Sequence, residues 1–134
     1  MKLTATVKGL APLLANIARL RGASAPEESL ETLKAAAEPI HALAVSFAPY
    51  DVHDRDGIHL RDHIIIAERE TDEGFVAVDV GTDRQAPHGH LLELGTVKMA
   101  ARPFLRPAFD VGQADGLVIL KRRIWESVMR AIRS

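Results

Sequence analysis

His59 and His63 are the residues of this chain best spaced to share a metal ion, with Asp62 beside them and His53 upstream. Four positions apart, two imidazoles meet on one turn of a helix, as in zinc-dependent proteases. Yet His59-Leu-Arg-Asp-His63 lacks the glutamate that must follow the first histidine in that motif. His63 also reads as the opening of a strand, where positions four apart lie about 13 Å from each other at ~3.3 Å per residue. His88-Gly-His90 reads as a piece of loop. Asp51, Asp54 and Asp56 precede Gly57 in a loop that fails the spacing of a calcium loop and has no closing bidentate glutamate. Ser24, Ser29, Ser46 and Ser127 stand in no nucleophile elbow, and Gly81, Gly89 and Gly95 are too scattered to cradle phosphate. No catalytic residue, metal or cofactor is expected, and a small metal-dependent hydrolase is kept only as a distant alternative.

Glu93 is the one acid in an unusual setting, flanked by Leu91, Leu92 and Leu94. Such an acid needs a partner or an exposed face. A catalytic role would require a pocket and a raised pKa. The preferred reading is structural: an ion pair or cap with an arginine such as Arg102 or Arg106, from the same or a neighbouring subunit. Downstream, Pro103 and Pro107 fix their own φ and push Arg102 and Arg106 away from helical geometry. A stiff, extended arm over 96–109 is therefore expected, holding Phe104 and Leu105 between two arginines. Such an arm suits docking onto a protein surface.

The chain of 134 residues is one domain's worth. Its formal charge of −1 recruits neither nucleic acid nor a membrane. The charge is unevenly placed: residues 51–96 hold four Lys/Arg against eleven Asp/Glu, a net −7, and residues 97–134 hold eight against three, a net +5. Opposite segments of this kind can pair head to tail between copies, or form two solvated faces of a monomer. Cysteine is absent, which removes disulfides and thiolate chemistry. The N-terminus lacks the apolar core of a signal peptide, and no run approaches a membrane span. A soluble product made in a cytoplasm is expected. The basic C-terminal helix carries one Trp without aromatic interleaving, so direct DNA recognition is not expected.

The elements that must position these residues follow from periodicity. Leu10, Leu13, Leu14, Ile17 and Leu20 predict a helix starting near Pro12 and stopping at Gly22. Ser24-Ala-Pro-Glu27 has capping-box spacing and opens a second helix. Its seam of Leu30, Leu33, Ala37, Ile40, Ala44 and Phe47 wants a partner helix or, preferably, the chain's own sheet. Pro39 should bend or interrupt that helix. His63–Glu70 and Phe75–Gly81 read as two strands of a hairpin, and the run Ile64-Ile65-Ile66 suggests a strand covered on both faces. His90–Leu94 is a third strand or a short helical turn. A final helix carries a stripe of Leu117, Leu120, Ile124, Val128 and Ile132, with Glu126 and Arg130 as an i,i+4 pair. The fold class expected is α+β: a small antiparallel sheet with N-terminal helices and a C-terminal helix packed on one face. The single domain 1–134 divides into a helical N-terminal region (1–48), a sheet region (59–95), the extended arm (96–109) and a C-terminal helix (110–134).

Leu92-Glu-Leu-Gly-Thr96 followed by Arg102-Pro-Phe-Leu-Arg-Pro-Ala108 resembles the tail-completion, or head–tail joining, proteins of long-tailed bacteriophages, the gene-product-ten-like family of lambdoid phages. Ala48-Pro49 and then Gly57-Ile-His-Leu-Arg-Asp-His-Ile64 is similar to a weaker feature of the same family. The loop from Tyr50 to Asp56 departs from it by being longer and more acidic. The resemblance implies a non-enzymatic virion protein of the tail or neck, in a phage or a gene-transfer particle, assembled in the host bacterial cytoplasm. It implies a ring of copies, commonly a homohexamer, between the tail tube protein and head-connector or stopper proteins. Double-stranded DNA would pass through the lumen without sequence-specific binding, and no membrane is involved. A tail terminator capping the tube is the alternative. The expected interface residues are Glu93, Gly95, Thr96, Arg102, Pro103, Phe104, Leu105, Arg106 and Pro107. The acidic middle would receive the arm of a neighbour, or line the lumen and repel the DNA. On this reading Phe104→Ala or Arg102→Glu abolishes assembly while the monomer stays folded.

Overall fold

The computed structural model describes Pro12, Ala15 and residues 26–50, 57–70 and 76–133. The helix expected around Leu10–Leu20, the acidic loop 51–56 and the hairpin turn 71–75 lie outside the described residues, apart from Pro12 and Ala15, which are helical. The elements are helix α1 (Pro26–Phe47), a single 3-10 turn (Leu60–His63), strands β1 (Ile64–Glu70) and β2 (Val76–Thr82), helix α2 (His88–Leu94) and helix α3 (Leu105–Arg133). This is an α+β fold with one antiparallel hairpin, in which Ile66 faces Val80 and Glu68 faces Val78.

α1 is the central element, packing on α3, on both strands and on the 3-10 turn, most extensively on α3. Its apolar seam therefore serves a helix and a sheet together, which a single seam read from sequence does not separate. The helix runs through Pro39 without a break. Proline donates no hydrogen bond to the carbonyl of Ala35, a cost of ~3 kcal/mol in an isolated helix. Here α3 holds α1 on both sides of that gap, at Ala36 and at Ile40 and Leu43.

The terminal helix begins at Leu105, not at 110, and its buried side is not the leucine and isoleucine stripe. Ala108, Gly112, Gly116 and Ala131 are buried, whereas Leu117, Ile124 and Ile132 are exposed. A Cβ built on Gly116 would lie 2.6 Å from the carbonyl oxygen of Ala36, and one on Gly112 would lie 3.0 Å from the Ile40 side chain. The two backbones approach so closely that only the smallest residues fit between them, and hydrophobicity alone does not mark such positions. The helices run antiparallel, which brings Arg130 Nη1 to within 3.1 Å of Glu28 Oε1 on α1. Arg130 thus pairs with Glu28 instead of Glu126, in an exposed contact that contributes little.

Among the described residues, the hairpin is covered on one face only, by α1. Ile64 and Val80 belong to or border the core, while Ile65 is 41% exposed, so the isoleucine run does not signal burial on both sides. Of the two readings of His90–Leu94, the short helical turn is the one found: α2 begins at His88, so His88 and His90 are helical and not in a loop. Ala44, Ala48, Leu60, Ile64, Ala86, Phe104 and Ala108 form the buried cluster, and Phe104 is its only large, fully enclosed side chain among the described residues.

Gly116→Ala tests the close crossing. Alanine favours a helix by ~1 kcal/mol over glycine, yet overpacking at Ala36 costs about 1–3 kcal/mol. The expected outcome in urea titration is net destabilisation, with the exposed control Gln113→Ala near neutral.

Candidate functional site

The Leu92–Ala108 segment folds back on itself as a clasp between α2 and α3. Glu93 projects from the last turn of α2 and accepts three backbone hydrogen bonds. The amides of Phe104 (2.8 Å) and Leu105 (2.9 Å) donate to Oε2, and that of Arg106 (3.0 Å) donates to Oε1. These are the first amides of α3, which no helical carbonyl can reach. The fourth such position is Pro107, which has no N–H, and the first intrahelical bond runs from Ala108 N to Phe104 O (3.4 Å). One carboxylate and one proline therefore account for every unpaired amide at this helix start. The helix dipole adds to the fit of an anion there.

Burial pushes the Glu93 carboxyl up, but the amides of Leu105, Phe104 and Arg106 and the Arg106 charge outweigh it, holding the group below the usual carboxylate range. The partner expected for Glu93 was an arginine side chain. The structure assigns the role to the backbone of the same chain, with Arg106 acting only through its charge.

The connection between the two helices is equally constrained. Gly95 has φ +76°, donates to Leu91 O (2.8 Å) and ends α2. A Cβ there would lie 2.8 Å from the Ala101 nitrogen, so conformation and space both demand glycine. Thr96 closes the next turn: its amide donates to Met99 O (2.9 Å), and its hydroxyl oxygen accepts from Met99 N (3.1 Å). Arg102 N then donates to Leu92 O (2.7 Å), returning the chain to α2. Phe104 drops into the core with 0% exposure.

The expected extended arm is therefore corrected. Residues 105–109 are the first turn of α3, because proline is tolerated where no N–H is needed. Phe104 is not presented to a partner, and Phe104→Ala would open a cavity in the monomer at a cost of about 3–5 kcal/mol. The structure gathers all nine residues of the expected interface, but Phe104 is buried, and Glu93, Gly95, Leu105 and Pro107 are half-buried. Thr96, Arg102, Pro103 and Arg106 are exposed. Sequence reasoning missed Leu94, 73% exposed, and Val97, fully exposed, which the clasp displays on its outer side.

His41, His59 and His63 have separate occupations. His59 stacks on Tyr50 with ring centroids 4.7 Å apart, and the Arg61 guanidinium lies over the same ring. His63 closes the 3-10 turn instead of opening β1, and its Nδ1–H donates to Asp83 Oδ2 (2.8 Å). That bond from His63 outweighs burial and holds the Asp83 carboxyl below its ordinary range. His41 donates from Nε2 to Ile64 O (2.7 Å), fastening α1 to β1. Among the described residues, no three His, Asp or Glu side chains gather as a metal site. A hollow of about 750 Å³ lies along α3 at Trp125, Met129, Arg130 and Arg133, and neither Glu93 nor any described histidine lines it.

Residues 11–95 match the model of a family described as "Bacteriophage HK97-gp10, putative tail-component". That span is more than half of the chain. The chain belongs to the HK97-gp10-like family of bacteriophage tail components. Membership implies a protein of the virion. The match ends at Gly95, so it includes the glutamate of the clasp and stops before the helix start that the glutamate holds. No curated protein and no solved structure matches the chain.

Glu93→Gln should weaken the fold by about 1–2 kcal/mol at neutral pH, the size of a lost helix cap. Because the folded carboxyl titrates below its unfolded value, its contribution is present above the unfolded pKa of about 4.5 and lost as pH falls through the lower folded pKa. Denaturant titrations of the two proteins should therefore converge as the solution is acidified below pH ~4.5.

Proposed function

We propose that this tail component is a ring-forming tail-completion subunit, a non-enzymatic piece that joins the tail tube to the head connector at the neck of the particle. The observation that carries this reading is the surface made by the clasp. Leu94, Val97 and Met99 are exposed apolar side chains on a turn that Gly95, Thr96 and the Arg102 amide hold in one conformation. Lys98, Arg102 and Arg106 are exposed basic side chains of the same segment and supply a basic rim. A preorganised apolar tip with a charged rim binds protein without losing the entropy of ordering a loop. The basic rim suits an acidic surface, and the acid-rich segment 51–96 of the next copy supplies one. Such a contact joins two different patches of one chain and closes into a ring by rotation. The tail tube protein and the head-connector proteins would then meet the two ends of that ring, with DNA passing through its centre.

The test is assembly. Native mass measurement of the wild type should show oligomers that grow with concentration and a defined largest ring. Val97→Asp combined with Arg102→Glu alters only exposed side chains, so circular dichroism should be unchanged. Ring formation and co-purification with tail tubes should both be lost. Wild-type assembly that survives this double change would rule out the clasp as the contact.

A further inference from the structure

α3 has two apolar sides, and among the described residues only one of them packs on the chain. Ala108, Gly112 and Gly116 face α1. On another side Val111, Val118, Trp125 and Ile132 recur every seven residues, with Leu117 and Ile124 alongside, and all six are exposed. A seven-residue repeat keeps a row on one side of a helix, and this row is ~30 Å long at 1.5 Å per residue. An apolar strip of that length marks a contact surface. Lys121 and Arg122 lie in its middle. An identical helix brought up antiparallel would set these cations against each other, so the row is poorly suited to itself.

The hairpin carries the complementary surface. Alternation puts Ile65, Ala67 and Arg69 of β1 with Ala77, Asp79 and Gly81 of β2 on one face, opposite the residues turned toward α1. Ile65 is exposed there, paired with Gly81 and two residues from Ala67, so its end of the face is lined by small residues. The face carries Asp79, already paired with Arg69, and exposed Asp62 stands near its Ile65 end. The surrounding segment 51–96 is net −7, against +5 for the segment holding α3. We propose that the outer row of α3 in one subunit packs on the open face of the hairpin in the next copy, as a second contact of the ring beside the clasp. This rests on the ring reading, and it names the surfaces that would bury most of the apolar area between neighbours.

The chain has no cysteine, so crosslinking sites can be placed without background. In the Val118→Cys, Ala67→Cys double variant, a short bismaleimide should give a ladder extending past the dimer on a denaturing gel. Each single variant should give none. Lys121→Glu with Arg122→Glu should weaken association at least ~tenfold at low salt. Oligomers seen by mass without a ladder would overturn these surfaces and leave the ring standing. A chain that stays monomeric at every concentration would overturn both. Dimers from Val118→Cys alone would show α3 pairing with α3 and overturn the proposal. An internally linked monomer in Val118→Cys with Leu14→Cys would overturn it too, showing that the chain's own N-terminal segment covers the row.

Discussion

A helix of 29 residues starts with amides that its own ladder cannot use. In this protein Glu93, eleven positions before the first of them, takes three, and Pro107 removes the fourth. Much of the rest follows from that one contact. The carboxylate fixes α2 against the start of α3, so the connection between them must reverse within a few residues. Gly95 and Thr96 make that reversal, and the Arg102 amide seals it on Leu92. Phe104 is thereby delivered into the core, where α1, the 3-10 turn and β1 converge on it. Replacing the carboxylate would loosen a cap, a turn and a core residue together.

The second constraint is the close crossing of α1 and α3. Glycines at 112 and 116 let the helices approach until backbone meets backbone. That choice leaves Val111, Leu117, Val118, Ile124 and Trp125 of α3 exposed. A protein acting alone gains nothing from Trp125 at 64% exposure and Val118 at 64%. A subunit of an assembly gains a surface, and membership of a phage tail-component family gives that surface a natural setting.

Local patterns are legible in the sequence. The hairpin, the start of α1 close to Pro26 and the α+β class follow from period and turn chemistry, because each depends on neighbours a few residues apart. The clasp stands out in the sequence as a unit, but its kind does not. Two prolines around Phe104 look like a stiff arm until Glu93 is seen to need those amides, and that pairing spans eleven residues. The buried side of α3 is hidden for a related reason. Packing there depends on how near α1 comes, and glycine carries no hydrophobic signal. The exposure of Leu94 and Val97 depends on the direction in which the turn leaves α2.

The most direct test of the clasp is a proton titration by heteronuclear NMR. The amides of Phe104, Leu105 and Arg106 and the Glu93 carboxyl carbon should shift together, with one midpoint below the ordinary glutamate value of 4.5. They should stop responding in Glu93→Gln. Three amides that ignore the Glu93 titration, or a carboxyl that titrates at or above 4.5, would contradict the account.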